Sequence, residues 1–446
     1  MAFGKQRRTD QDEALAAAIG EGASALRSPA ELDPLLDQIG DSRYVLIGEA
    51  SHGTSDFYRW RSELSKRLIA ERGFSFVAVE GDWPDCYRVN RYVKDYPDSG
   101  NSAFDVLHAF DRWPTWMWAN REVMDFTTWL RQHNEPRPSE AQAGFYGLDV
   151  YSLYESMAEV VRYLEGVDPE AASTAKRAYS CFEPYYGDVQ EYARATALVP
   201  TSCEDEAVSI LSTLRRKAPE YAADGREAFF DAEQNALVAR GAELYYRTMV
   251  RGGPGSWNVR DHHMVDTLER LMGFHGPLAK AIVWEHNTHV GDARFTDMAR
   301  AGMVNVGQLV RQRHGNEGVV LVGFGSYHGT VIAAEEWGLP MQRMRVPNAR
   351  DDSYEGVMHR SGVPEFLLVF DGSDDGGIIG LDTVRGHRAI GVVYEPAHER
   401  WGNYVPTLLP RRYDSFIFLD HTEALDPLHM PVHVTGEPPE TYPSGE

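Results

Sequence analysis

Hydrophobic and polar positions come in blocks along this chain. Tyr44–Ile47 is an apolar run that stops at Gly48 and is followed by Glu49 and His52. The period then changes: Phe57, Trp60, Leu64 and Leu68 recur at three- and four-residue spacing, one face of a helix. A second apolar run, residues 76–79, ends at Glu80, and a third, residues 143–148, ends at Asp149. Strand, helix and strand in this order predict a parallel sheet, whose ligands bind beyond the carboxyl ends of the strands. Glu49, His52, Glu80 and Asp149 are therefore expected around one crevice, with Arg61 joining them from the intervening helix.

Residues 10–40 read as polar helices. From 151 to 271 the texture changes: candidate strands vanish, and segments such as ESMAEVVRYLEG and REAFFDAEQNALVARGAELYYRTMV show helical periodicity. This stretch is predicted to be a helical insertion or lid, closing with the joint RGGPGS and leading into a helix near Arg260 and Asp261. Alternation then resumes. LAKAIVWEHNTH predicts a strand ending at Glu285, with His286 and His289 beyond it; GVVLVGFGSYHG predicts another ending near Ser326, Tyr327 and His328. Further apolar runs occupy 365–370, 389–395 and 414–420. The expected architecture is an α/β fold, a three-layer α/β/α core with a mostly parallel sheet and a helical insertion. Residues 1–150 supply its first part, 151–271 the insertion, and 272–446 its second part and a tail. That tail, rich in Pro, Glu and Gly after Pro427, is expected to be mobile.

Charge narrows the partners. Acids outnumber bases 67 to 44, a formal net charge of -23. Nucleic-acid binding needs Lys and Arg to neutralise phosphates, so it is not expected, and adhesion to anionic membranes is disfavoured. No run approaches the roughly 18 apolar residues of a membrane span. Arg7 and Arg8 precede polar residues, not the apolar core of an export signal. Cys86, Cys181 and Cys203 are odd in number and form no CxxC pair, which predicts no disulfide framework, a reducing compartment and a cytoplasmic protein.

The chemistry-bearing residues concentrate at the strand exits. In GEASHG, Glu49 precedes His52 by three residues between glycines that permit a sharp turn, a spacing suited to a general base oriented by a carboxylate. His286 and His289 with Glu49 and Glu80 could ligate zinc. No HExxH accompanies them, however, and Arg61 would repel a cation, so neither metal nor cofactor is expected. There is no GxSxG elbow and no Walker loop, so Ser51 and Ser326 read as turn residues. Trp113, Trp116, Trp118, Phe126 and Trp129 form an aromatic cluster, mostly packing residues, from which Trp116 is a candidate pocket wall.

Taken in order, GEASHG, the Arg nine residues after His52, FVAVEGDW, YGLDVYS, WNVRDHHM and VWEHNTHVGDA resemble the blocks of the erythromycin esterase family over roughly residues 40–425. The resemblance is nearer to its uncharacterised bacterial branch than to proven macrolide resistance enzymes. Glu285 stands where a small residue is usual, and Asn403 where a His is usual. The resemblance implies a hydrolase that opens an ester or lactone of a small-molecule substrate, with His52 activating water and no catalytic metal. Glu49, Arg61, Glu80 and His286 would complete the catalytic group. His289, Asp149, Arg260, Asp261, Trp116 and Tyr327 are the expected substrate-binding residues. Two alternatives stand beside it: a non-hydrolytic acid–base enzyme (elimination, isomerisation or acyl transfer), and a haem-binding module.

Overall fold

A computed structural model of the protein describes residues 2–185, 189–198 and 202–428. The tail expected to be mobile lies mostly outside the described residues. Eleven strands are present among them: β1 (Ser24–Ala25), β2 (Tyr44–Ile47), β3 (Phe76–Asp82), β4 (Gly144–Asp149), β5 (Ala281–Trp284), β6 (Val319–Ala333), β7 (Gln342–Val346), β8 (Glu365–Val369), β9 (Arg385–Arg388), β10 (Tyr404–Thr407) and β11 (Ser415–Thr422). The main sheet runs β1-β8-β11-β6-β2-β5-β3-β4, with β7 paired to β6. The stretch from β11 through β6, β2, β5 and β3 to β4 is parallel throughout, whereas β1, β7 and β8 pair antiparallel.

The short apolar runs form central strands because both faces are covered. Val45 and Ile47 point into one core with Val77, Val79, Ile282 and Trp284. Tyr44 and Leu46 point into the other with Phe76, Ala78, Ala281 and Val283. This two-sided burial produces continuous apolar runs instead of alternation. Helices α1 (Ser55–Arg72) and α2 (Arg121–Asn134) supply residues to the first core, and α4 (Gly255–His275) to the second. The result is an α/β fold of three layers.

Between β4 and β5 the described chain is helical. Leu153, Val160, Leu211 and Leu214 pack with Ala236, Ala239 and Tyr245 of α3 (Arg226–Met249) in a separate cluster. RGGPGS joins α3 to α4, its last two residues, Gly255 and Ser256, opening α4. Within this stretch Cys181 and Cys203 form a disulfide, contrary to the expectation from sequence. No motif marks the pair: Cys181, in a 3-10 turn, meets Cys203, the N-cap of a helix 22 residues on. Among the described residues no helix is long and apolar enough to cross a membrane.

Two further expectations differ. The apolar run 389–395 forms no strand of its own; β9 precedes it, and Ile390 and Val393 make only isolated bridges. The run ending near Ser326 continues to Ala333 and turns back as β7.

Candidate active site

Because β2, β3, β4 and β5 are parallel, the residues after them emerge at one end of the sheet. Gly48 makes the first turn possible: a Cβ there would lie 2.1 Å from Asn287 Oδ1. The turn delivers Glu49, 1% exposed, against His52, with Oε1 2.8 Å from Nδ1. The other oxygen of Glu49 lies 2.7 Å from Arg61 Nη2, an ion pair without hydrogen-bond alignment. Arg61 is fully buried, its guanidinium 4.2 Å from the Tyr58 ring and 5.1 Å from the Trp284 ring. Cation–π contact and the Glu49 charge together offset the desolvation of this arginine. With Nδ1 engaged, Nε2 is the nitrogen His52 can offer to the cavity.

A second group is assembled by Arg260 of α4. It grips Asp149 with two parallel hydrogen bonds, Nε to Oδ1 at 2.9 Å and Nη2 to Oδ2 at 2.7 Å, and donates from Nη2 to Glu80 Oε1 at 2.7 Å. Glu80 Oε2 accepts the backbone N–H of His286 at 2.8 Å. Burial alone would raise the Glu80 carboxyl, but His289, His52, Arg260 and that N–H outweigh it and hold it well below the ordinary carboxylate range. His289 lies between two acids, Nδ1 2.9 Å from Asp261 Oδ1 and Nε2 3.5 Å from Glu80 Oε1. Burial and Arg260, whose Nη1 is 3.1 Å from Nε2, oppose its charging; Asp261 and Glu80 prevail and bring its pKa to about 9. Trp257 stacks on the ring at 4.5 Å with 5° between planes, which favours the cation.

His286 behaves differently. Its Nδ1 caps the turn α5 (Asn287–Val290) by accepting the Thr288 N–H at 3.3 Å, and lies 2.8 Å from Thr288 Oγ1. The proton therefore sits on Nε2, which is buried and has no partner of good geometry, the Ala50 carbonyl being a nearby influence. Burial, then the neighbouring His52 4.9 Å away between ring centroids, pushes its pKa well down and keeps the ring neutral. Glu285 does not line the cavity, although His289, Glu80, Asp261 and Arg260 all influence its charge. It is fully buried, neither oxygen has a partner, and burial raises its carboxyl well above the usual range.

His52, Glu80, Asp149, Arg260, His286 and His289 all line one cavity of ≈ 860 Å³, its open mouth included. Glu49, Arg61 and Asp261 stand behind them as partners of His52 and His289. Trp116 is fully buried in the core, edge-on to Trp113, and Tyr327 stacks on His359 at 3.7 Å; neither lines the cavity. Its walls are instead Phe110, Trp113, Met117, Trp118, Tyr151, Trp257 and Trp337, with Asp82, Asp85 and Arg112. Asp82 stands in the FVAVEGDW block two residues after Glu80, a signal that could have been read. Trp337 follows β6 with no local pattern to mark it. No group of three or more His, Cys, Asp or Glu among the described residues is arranged to hold a metal ion.

Acid–base side chains thus gather at the exits of parallel strands, under an aromatic wall, in an α/β fold. The chain belongs to the erythromycin esterase family, whose model matches residues 69–422. Glu49, His52 and Arg61 precede the matched stretch. The chain is 21% identical to the erythromycin esterase type II of Escherichia coli over 76% of its own length and 83% of that protein's. It is 18% identical to the putative hydrolase YbfO of Bacillus subtilis, over 85% and 83% of the two chains. These matches support a hydrolase. Among solved structures, a Bacillus cereus protein superposes with a TM-score of 0.76 at 17% identity, covering 93% of this chain and 98% of that one. An erythromycin esterase mutant in its open conformation superposes with a TM-score of 0.64 at 16% identity, covering 89% and 95%. Both show the shared fold.

Proposed function

We propose that the protein is a carboxylic ester hydrolase that opens an ester or lactone by direct attack of water, with His52 as general base. The observation that carries this reading is the buried Glu49–His52 pair at the cavity wall: Oε1 on Nδ1 at 2.8 Å selects the tautomer whose Nε2 can take a proton. Water bound at Nε2 gives up its proton as its oxygen attacks the carbonyl carbon. The His289 cation adds positive potential for the developing oxyanion, and neutral His286 lines the cavity beside it. When the acyl C–O bond breaks, the His52 imidazolium returns its proton to the alkoxide, giving acid and alcohol. Glu80 and Asp149 serve by fixing Arg260 and the His286 backbone.

The aromatic wall fits a substrate with extended apolar faces. The names of the relatives make a macrolactone the first candidate, and resistance to such an antibiotic would follow from its opening. A panel of macrolactones, smaller lactones and linear esters tests the reading, with product masses as the readout. The expected product of a lactone is heavier by one water, and its formation is lost in His52→Ala. A product of unchanged or lower mass would support isomerisation or elimination instead.

A further inference from the structure

A further buried carboxylate–imidazole pair, Glu355 and His387, lies outside the cavity, and nothing in the hydrolytic steps above uses it. Glu355, His387 and Asn287 are all fully buried, and none lines the cavity. Glu355 Oε1 lies 2.6 Å from His387 Nδ1 and also accepts the Arg388 N–H at 2.8 Å. That carboxylate places the imidazole proton on Nδ1 and leaves Nε2 as an acceptor. Asn287 Nδ2 faces Nε2 at 3.2 Å and donates at 2.7 Å to the carbonyl of Phe324 on β6. Asn287 Oδ1 accepts the Phe324 N–H at 3.2 Å. Every polar atom of the Asn287 side chain is thereby assigned, and the amide has one allowed orientation.

The backbone of the same residue reaches the site. Asn287 N–H donates to the Glu49 carbonyl at 2.8 Å, and its neighbour in sequence is His286. Its side chain also fills the space that a Gly48 Cβ would need. One residue thus fixes the carboxylate segment that orients His52 against the turn that carries His286. We propose that Glu355, His387 and Asn287 are positioning residues that set the distance between the Glu49–His52 pair and His286. The proposal rests on the reading of His52 as base and deepens it. Buried networks of this kind hold geometry when all members are satisfied, and a misplacement of about 1 Å in a reacting constellation costs up to about 10²-fold in rate.

The test uses the full chain carrying His387→Leu and, separately, His387→Gln, whose side-chain carbonyl can accept from Asn287. Folded His387→Leu is expected to lose kcat by at least about 10-fold with KM within about twofold, and His387→Gln to recover most of the loss. The ring resonances of His52 and His286, read by NMR on histidine-labelled protein without substrate, should shift in His387→Leu and return in His387→Gln. If His387→Leu does not fold, Asn287→Asp, which turns an oxygen toward both acceptors, is expected to show the same kcat loss. Wild-type kcat and unmoved resonances in a folded variant would overturn the proposal, as would equal impairment by Leu and Gln. If the wild type hydrolyses no ester or lactone, the function proposed above fails. The resonances then still decide whether the relay positions the two histidines.

Discussion

Arg61 meets Glu49 at 2.7 Å in a fully buried ion pair on the side of the carboxylate remote from His52. One oxygen of Glu49 is thus taken up by Arg61, and it can hold a histidine only through the other. Glu49→Gln keeps the shape but lets an amide N–H face Nδ1, which favours the wrong tautomer of His52. It is expected to lower kcat by about 10²-fold or more, with KM little changed. Steady-state kinetics on the folded variant check this; a variant with near wild-type kcat would remove Glu49 from the catalytic group.

His289 makes stability depend on pH. Its pKa is raised from 6.5 to about 9 on folding. The stabilisation it supplies is therefore fully present below about 6.5 and is lost as pH rises through about 9. Melting temperatures measured between pH 6 and 10 should fall over that window in the wild type. The Asp261→Asn variant, lacking the leading cause of the shift, should be less stable at pH 6 and flatter above it. Parallel curves for the two proteins would contradict the assignment.

Glu285 is a buried carboxyl with no partner for either oxygen, and keeping it there costs stability at neutral pH. Glu285→Gln preserves volume and removes the titration. Urea unfolding at pH 7 should show a variant as stable as the wild type or more so. A marked loss of stability would mean that Glu285 holds an ionic partner.

The cysteines give a count. Cys181 and Cys203 are joined and Cys86 is free and buried. The unfolded, unreduced protein should titrate one thiol, and three after reduction. Amide exchange between residues 153 and 249 should quicken on reduction, since closing a loop of this size contributes roughly 3 kcal/mol. Three thiols without reductant would contradict the pairing.

Much of the site was legible because each strand exit carries its own signal: an apolar run, then an acid or a histidine, at Glu49, Glu80, Asp149 and His286. Parallel pairing brings such residues together whatever the strand order, so the order β4-β3-β5-β2-β6 did not have to be known. What escaped depends on that order. Glu355, His387 and Asn287 meet only because β6 lies beside β2 while the chain returns over the sheet, and their separations leave no local pattern. Trp116 and Tyr327 went the other way: an aromatic side chain reads alike whether it lines a cavity or fills a core, as Trp113 and Trp116, neighbours in space, demonstrate. The disulfide failed for a related reason, since odd cysteine count and missing motif say nothing about a 3-10 turn and a helix N-cap that the fold brings together.

The central claim is direct attack by water activated at His52, and one mass-spectrometric measurement tests it most directly. A single turnover is run in heavy-oxygen water with enzyme in excess, quenched at intervals, and both product and intact enzyme are weighed. The account predicts one heavy oxygen in the product acid, none in the alcohol, and an enzyme of unchanged mass at every time. An acyl group on the enzyme, at Ser51, Ser326 or any other residue, or heavy oxygen in an enzyme carboxylate, would contradict it.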